Sequence, residues 1–350
     1  NPPAATTAGS AFPSTVSVAV EDGSGRTVQS DNSVVTISVA SGTGALQGTL
    51  VATAKNGVAT FTNLATSAPG SGGIKVADGS LASATSSSIT ISNPPGVSPG
   101  GATTYAITGF PGTQTMDVQT GVVTLSSDQS LNFAAMTLKI EAGASVILQT
   151  DQHIAALQLV GNGSLNVNNC AVFINYGSSA DPIATIAGYL QSGYNGGLWN
   201  GAGIFSTAAA ANSGSYGLGY ADSADAGNPA GLPTQTIKIM YTLLGDADLN
   251  GIVNGVDFGI VSANFNKGVT GWDQGDFNYD GIVNGIDFAV LAANFNQGAV
   301  GTAAAVTPTS SGGGTPVPTN SNTGSSQITG TTKTPQMAAP KKKTSHRHGH

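Results

Sequence analysis

The sequence predicts a mainly β chain that ends in a small helical module and a polar tail. Short alternating apolar runs cut by Gly, Ser and Asn dominate the chain up to residue 243, the pattern of half-buried strands. A unit that begins at Gly245 recurs at Gly275, and after each start the apolar spacing changes from two to three and four, which is the helical period. After residue 300 the chain is Thr, Ser, Gly and Pro, from which no packed core can be built. The expected order is an antiparallel β-sandwich over 1–93, a Pro/Gly linker over 94–102, and a β-rich, solenoid-like domain or second sandwich over 103–243 with a short helix near 184–194. The repeat module then covers 244–300, and a disordered, basic-ended tail covers 301–350.

In the first region, strands are expected at 15–20, 34–39, 58–63, 74–76 and 87–91. Many short alternating strands with Gly and Ser turns favour a sandwich. The run Val20-Glu-Asp-Gly-Ser-Gly-Arg-Thr-Val28, followed by Asn56-Gly-Val-Ala-Thr-Phe61, resembles the bacterial Ig-like repeats of invasin-type surface proteins. The resemblance implies a spacer or stalk and no particular ligand. Asn93-Pro-Pro-Gly-Val-Ser-Pro-Gly-Gly101 reads as a stiffened linker. Its Gly96-Val-Ser98-Pro-Gly100 matches the spacing of a nucleophile elbow, but that motif needs a strand before it and a helix after it, and Pro94, Pro95 and Pro99 oppose both.

From 103 to 176 the apolar runs are shorter and closer: 122–125, 138–140, 146–148, 157–160, 165–167 and 172–174, with Gly and Asn between them. Coils with polar corners give that rhythm, and the stretch resembles the repeats of autotransporter passenger domains. Cys170, the single cysteine, excludes an intramolecular disulfide and reads as a buried inert thiol. His153 reads as a surface or satisfied histidine. Asn162-Gly-Ser164 has only the form of a glycosylation sequon. Ile186, Tyr189 and Leu190 share one side of a helix. The aromatic, Gly- and Asn-rich passage Tyr194-Asn-Gly-Gly-Leu-Trp-Asn-Gly201 reads as core or loop anchors, or alternatively as a polysaccharide-stacking surface. Residues 236–243 form a strand that runs straight into the repeat, so the module is expected to dock on the preceding domain.

The repeat carries the chemistry. Asp246, Asp248, Asn250, Asn254 and Asp257 fall at positions 1, 3, 5, 9 and 12 of a loop with Gly251 at position 6; Asp276, Asn278, Asp280, Asn284 and Asp287 repeat the spacing around Gly281. Calcium takes about six to eight oxygens at roughly 2.3–2.6 Å, and oxygens at alternate positions of a tight turn converge on one point. Position 7 supplies a backbone carbonyl, leaving the side chains of Ile252 and Ile282 free to be apolar. The competing reading takes Asn250-Gly251 and Asn284-Gly285 as hairpin turns. Recurrence of the whole pattern, with Phe258, Val261 and Phe265 after the first loop and Phe288, Leu291 and Phe295 after the second, favours calcium loops followed by helices. Trp272, in the connector, is expected to cap the paired helices.

Gly245-Asp-Ala-Asp-Leu-Asn-Gly-Ile-Val-Asn-Gly-Val-Asp-Phe258 and Gly275-Asp-Phe-Asn-Tyr-Asp-Gly-Ile-Val-Asn-Gly-Ile-Asp-Phe288 resemble a type I dockerin, whose EF-hand-type loops close on Asp rather than Glu. The resemblance implies a small α domain folded around two Ca2+ ions and, in cellulosome systems, a cohesin partner. Where that family often carries Ser-Thr after the ninth loop position, this chain has Gly255-Val256 and Gly285-Ile286.

Composition sets the remaining limits. With 49 Gly, 8% charged and 39% hydrophobic residues in 350, two or three β-rich modules are expected rather than one large enzyme core. Net charge is −7, and five of the eleven basic residues (Lys333, Lys341, Lys342, Lys343 and Arg347) lie in the tail, so the body is more acidic than the total and nucleic acid is not an expected partner. The tail, with three of the four histidines, reads as a solvated end, an electrostatic anchor to an anionic cell-envelope polymer, or a transition-metal binder. No run reaches the roughly twenty apolar residues of a membrane helix. A start at Asn1 without a signal-peptide pattern reads as a mature protein or the C-terminal part of a longer one.

Glu21 and Glu141 are the only glutamates and fall in different expected domains, which opposes a glycosidase pair, and no Ser/His/Asp or Cys/His set stands out. The expected function is therefore non-catalytic, in a secreted or cell-surface protein whose calcium module stabilises, attaches or assembles it. The alternative is the non-catalytic C-terminal part of a polysaccharide-degrading enzyme docked to a cohesin-like protein.

Overall fold

The computed structural model describes residues 2–42, 44–79 and 81–298; the tail expected from 301 to 350 lies outside them. The first region holds β1 (Ala5–Thr7), β2 (Val16–Ala19), β3 (Val34–Ser41), β4 (Leu46–Gly48), β5 (Val51–Thr53), β6 (Val58–Phe61), β7 (Leu64–Thr66), β8 (Gly70–Asp78), β9 (Ala84–Thr85) and β10 (Ile89–Ser92). One six-stranded sheet runs β1-β10-β8-β3-β5 with β9 on β8, and β2-β6 and β4-β7 form separate two-stranded ribbons. Among the described residues of this region, only the β1-β10 pairing is parallel. Val35 and Ile37 are buried while Val34 and Thr36 face out, and Ile89 and Ile91 repeat the alternation. Period-two burial of this kind fixes each strand's register against one core.

The stretch expected as a linker over 94–102 becomes strand from Val97 on. Here β11 (Val97–Thr108) pairs antiparallel with β12 (Thr115–Leu125). It is an edge strand paired on one side only, so Pro99 lacks no ladder donor that a neighbour needs. A bulge between Gly100 and Tyr105 absorbs the irregular residues. Buried Val97 opposite Leu125 anchors the start, and Ser98 lies exposed on the strand rather than at an elbow.

Beyond β12 the chain coils. The strands are β13 (Thr137–Ile140), β14 (Ser145–Leu148), β15 (Gln152–Ile154), β16 (Ala156–Leu159), β17 (Ser164–Asn166) and β18 (Ala171–Asn175). They pair in parallel as β13 on β16, β14 on β17 and β15 on β18. Leu138 thus lies over Leu157, Val146 over Leu165 and Ile154 over Ile174, all buried. Like residues stacked from one coil to the next build the interior.

α1 (Ile183–Tyr194) follows, with Ile186 and Leu190 inward, and ends at Asn195 in the left-handed region. Then come β19 (Gly203–Phe205), α2 (Thr207–Ala211), β20 (Tyr216–Asp222), β21 (Thr236–Leu243), α3 (Gly255–Asn264) and α4 (Gly285–Asn294). Buried Ser206 caps α2 by accepting from the Ala209 N–H at 2.9 Å. β21 pairs with both β18 and β20 and delivers the chain directly to Asp246. The apolar core is continuous from Ala8 to Leu291, across the expected boundaries near residues 93 and 243.

Candidate metal centre

Both loops adopt one backbone conformation. Position 4 of each is left-handed although bulky, at Leu249 (φ 53°) and Tyr279 (φ 60°), and position 6 uses the freedom of glycine, at Gly251 (φ 87°) and Gly281 (φ 86°). Each loop ends in a capping box. Asn254 accepts from the Val256 N–H at 2.7 Å while Asp257 accepts from the Asn254 N–H at 2.8 Å; Asn284 with Ile286 and Asp287 with Asn284 repeat this at 2.8 and 2.9 Å.

The two halves complete each other. The Val253 N–H donates to the Gln297 carbonyl and the Asn296 N–H to the Val253 carbonyl, while the Asn266 N–H donates to the Val283 carbonyl. The first loop is thus braced by the chain leaving α4, and the second by the chain leaving α3. Gly245 abuts Leu291 of α4 and Gly275 abuts Val261 of α3, in the same reciprocal way.

In the first loop, carboxylate oxygens of Asp246, Asp248 and Asp257 all lie within 4.8 Å of one another. Asp246 and Asp257 are buried. The oxygens are held by backbone donors: Asp257 by the N–H groups of Ala247 and Asp248, and Asp246 by those of Asn250 and Gly251 together with the Thr242 hydroxyl. Asn250 bridges to Asp248 through its amide at 2.8 Å. Burial, reinforced by Asp257 and Asp248, pushes the Asp246 carboxyl up to about 7; burial and Asp257 also raise Asp248. Lys238 donates to the Leu249 carbonyl at 3.1 Å and is itself held below the usual lysine range by burial.

Asp276, Asp280 and Asp287 of the second loop are not drawn into such a group among the described residues. Asp276 Oδ2 accepts from the Gly281 N–H at 2.9 Å, while its Oδ1 is buried with no partner. Burial raises Asp276 to about 6 and Asp287 above the usual carboxylate range. Asn278 donates to Asp280 at 2.9 Å. Ile252 and Ile282 expose their side chains, as carbonyl-donating positions allow. The close carboxylates of the first loop form a donor set of hard oxygens, which fits a cation of the calcium class, and in the second loop the orphaned Asp276 oxygen is a group that such a cation would satisfy.

Several neighbours of the site carried no recognisable spacing. Thr242 lies outside the loop pattern. Trp272, expected over the helix pair, packs instead against Gly217 and Gly219 of β20 and donates from Nε1 to the Asp246 carbonyl at 2.8 Å. Its ring joins Phe277, Tyr279, Tyr194, Trp199 and Tyr220 in one aromatic cluster between β20, α1 and the second loop. Trp199 is only 1% exposed and is a core anchor, as the first of the two readings has it, while Asn195, Gly196, Leu198 and Asn200 of the same passage stay exposed. Val261 and Leu291 are buried, but Phe258, Phe265, Phe288 and Phe295 are partly exposed. The helical trios are therefore not wholly inward. His153 stacks on Phe173 at 4.6 Å and meets Asp128 at 2.6 Å.

No protein-family profile matches the chain, and no curated protein or solved structure gives a significant match. Among the described residues, no helix is long and apolar enough to cross a membrane.

Proposed function

We propose that the chain is a non-catalytic, secreted or cell-surface protein whose residues 244–298 bind two calcium ions and use them to set the shape of an attachment module. The observation that carries the reading is the convergence of Asp246, Asp248 and Asp257 in a loop whose backbone the second loop reproduces. Three carboxylates this close repel one another, and a divalent cation removes that repulsion while closing the turn. In this reading the ligands are Asp246, Asp248, Asn250, the Ile252 carbonyl, Asn254 and Asp257, with Asp276, Asn278, Asp280, the Ile282 carbonyl, Asn284 and Asp287 in the second loop. Loops of modest affinity fill where calcium is abundant, which favours an extracellular setting. The reciprocal pairing supports the dockerin-like reading, the parallel coil stacking supports a solenoid-like middle region, and the alternation in β3 and β10 supports an Ig-like spacer.

Attachment, beyond stabilisation, is favoured by one further feature. Val256 and Ile286, at equivalent positions of α3 and α4, are 57% and 58% exposed, and Phe258 meets Phe288 with ring centroids 5.8 Å apart. This two-fold apolar face suits a cohesin-like protein. Calorimetric calcium titration of the full chain tests the metal assignment: Asp257→Ala and Asp287→Ala are each expected to abolish or weaken one loop site. Loop sites of unchanged affinity in either variant refute it.

A further inference from the structure

The fourth residue of each loop, Leu249 or Tyr279, stands between the ligand positions 3 and 5, and its backbone carbonyl is held from outside the module. Lys238 Nζ, from β21, donates to the Leu249 carbonyl at 3.1 Å. Gln191 Nε2, from α1, donates to the Tyr279 carbonyl, also at 3.1 Å. Equivalent carbonyls are thus anchored by equivalent bonds, one from a cationic side chain and the other from a neutral amide. The loops themselves are matched in charge: each has three aspartates and two asparagines at its ligand positions, and neither contains Lys or Arg.

Lys238 is half-buried, with Nζ 6.0 Å from the centroid of the Phe173 ring. Among the described residues no carboxylate lies within 4.0 Å of it, so no ion pair consumes its charge. Burial works against that charge, while Asp246, and then Asp151 and Asp248, favour it. Two of those three are ligand positions of the first loop. A charge partly withdrawn from water is poorly screened and keeps its reach. Lys267, on the segment that braces the second loop, is also unpaired within 4.0 Å, but it is exposed, and solvent and salt screen it. A cation entering the first loop therefore meets a positive charge at position 4, where one entering the second meets the neutral Gln191.

On the reading of both loops as calcium sites, we infer that Lys238 sets the order in which they fill: its ammonium weakens the first loop for divalent cations relative to the second. Calcium then occupies loop 276–287 first and loop 246–257 only at higher concentration. Until it does, the ammonium offsets part of the repulsion among Asp246, Asp248 and Asp257. The first loop is thereby the one that responds to a change in calcium, and a residue of the β body, outside the repeat, tunes that response.

The test is calorimetric calcium titration of the chelator-treated full chain, with Asp257→Ala and Asp287→Ala marking which affinity belongs to which loop. The parent is expected to show two unequal sites, the weaker one lost in Asp257→Ala. Lys238→Gln keeps a donor for the Leu249 carbonyl and removes the charge, so it is expected to tighten the weaker site on the order of tenfold and leave the other unchanged. Gln191→Lys, at an exposed position of α1, brings the charge to the second loop and is expected to weaken that site. Both effects are expected to shrink as salt is raised, which loss of a merely structural bond would not do. A first loop that is the tighter site in the parent, or one whose affinity is unchanged or lower in Lys238→Gln, overturns the role of Lys238 and leaves the loops as calcium sites. Where Lys238→Gln folds poorly, Gln191→Lys decides, and an unchanged second site overturns the proposal. A parent that binds no calcium, or loop variants that leave both sites intact, overturns the loop assignment itself.

Discussion

Freed of cations, the chain is expected to lose stability as pH rises from about 4 to about 8. The sign follows from Asp246, whose folded-state value near 7 lies above its ordinary 3.8 because of burial. Between those values the folded chain holds a proton that the unfolded chain has released, so raising the pH favours unfolding. At 1.36 kcal/mol per pKa unit, the shift at Asp246 corresponds to on the order of 4 kcal/mol. Asp276, buried and raised to about 6, acts in the same direction. For a folded body of this size the Asp246 contribution alone is a fall in melting temperature of roughly 6 °C. Calcium binds the ionised form and reverses the trend: each site returns about 2.7 kcal/mol at a hundredfold excess over Kd. Thermal unfolding followed by circular dichroism, in chelator and then in calcium, measures both effects. Asp246→Asn is expected to reduce the cation-free slope. Stability that is flat or rising across the window in chelator, or a slope untouched by Asp246→Asn, refutes the reasoning.

Two other outcomes can be checked. Trp272→Ala removes a fully buried ring and its bond to the Asp246 carbonyl and is expected to cost about 3–5 kcal/mol in denaturant unfolding; Gly219→Ala, whose methyl would meet Trp272 Nε1 at 2.7 Å and Leu249 Cδ2 at 2.5 Å, is expected to destabilise the same junction. The Cys170 thiol, buried and pushed up to about 11 by burial and by Asp151, is expected to resist thiol reagents at neutral pH until the chain unfolds.

Where side-chain pattern alone dictates local structure, the sequence could be read directly. The period-two runs around Val35, Ile89 and Leu138 are strands, and the helix near 184–194 is α1 (Ile183–Tyr194). The loop spacing from Asp246 to Asp257 does gather carboxylates. What escaped reading depended on distant partners. Pro99 and its glycines look like a linker until β12 offers an edge to pair with. Trp199 leaves a core anchor and a stacking surface both open until Tyr194 and Tyr279 close around it.

The reciprocal bracing of the loops has a consequence for how little of this module can stand alone. A fragment carrying one repeat has a loop that lacks its brace and a trailing segment with nothing to brace. Within a single molecule those ends belong to opposite sides of a two-fold and cannot meet, whereas two such fragments can satisfy each other. Isolated repeats are therefore expected to self-associate as pairs, and cutting the chain just after α4 injures the first loop, some forty residues upstream, rather than the second.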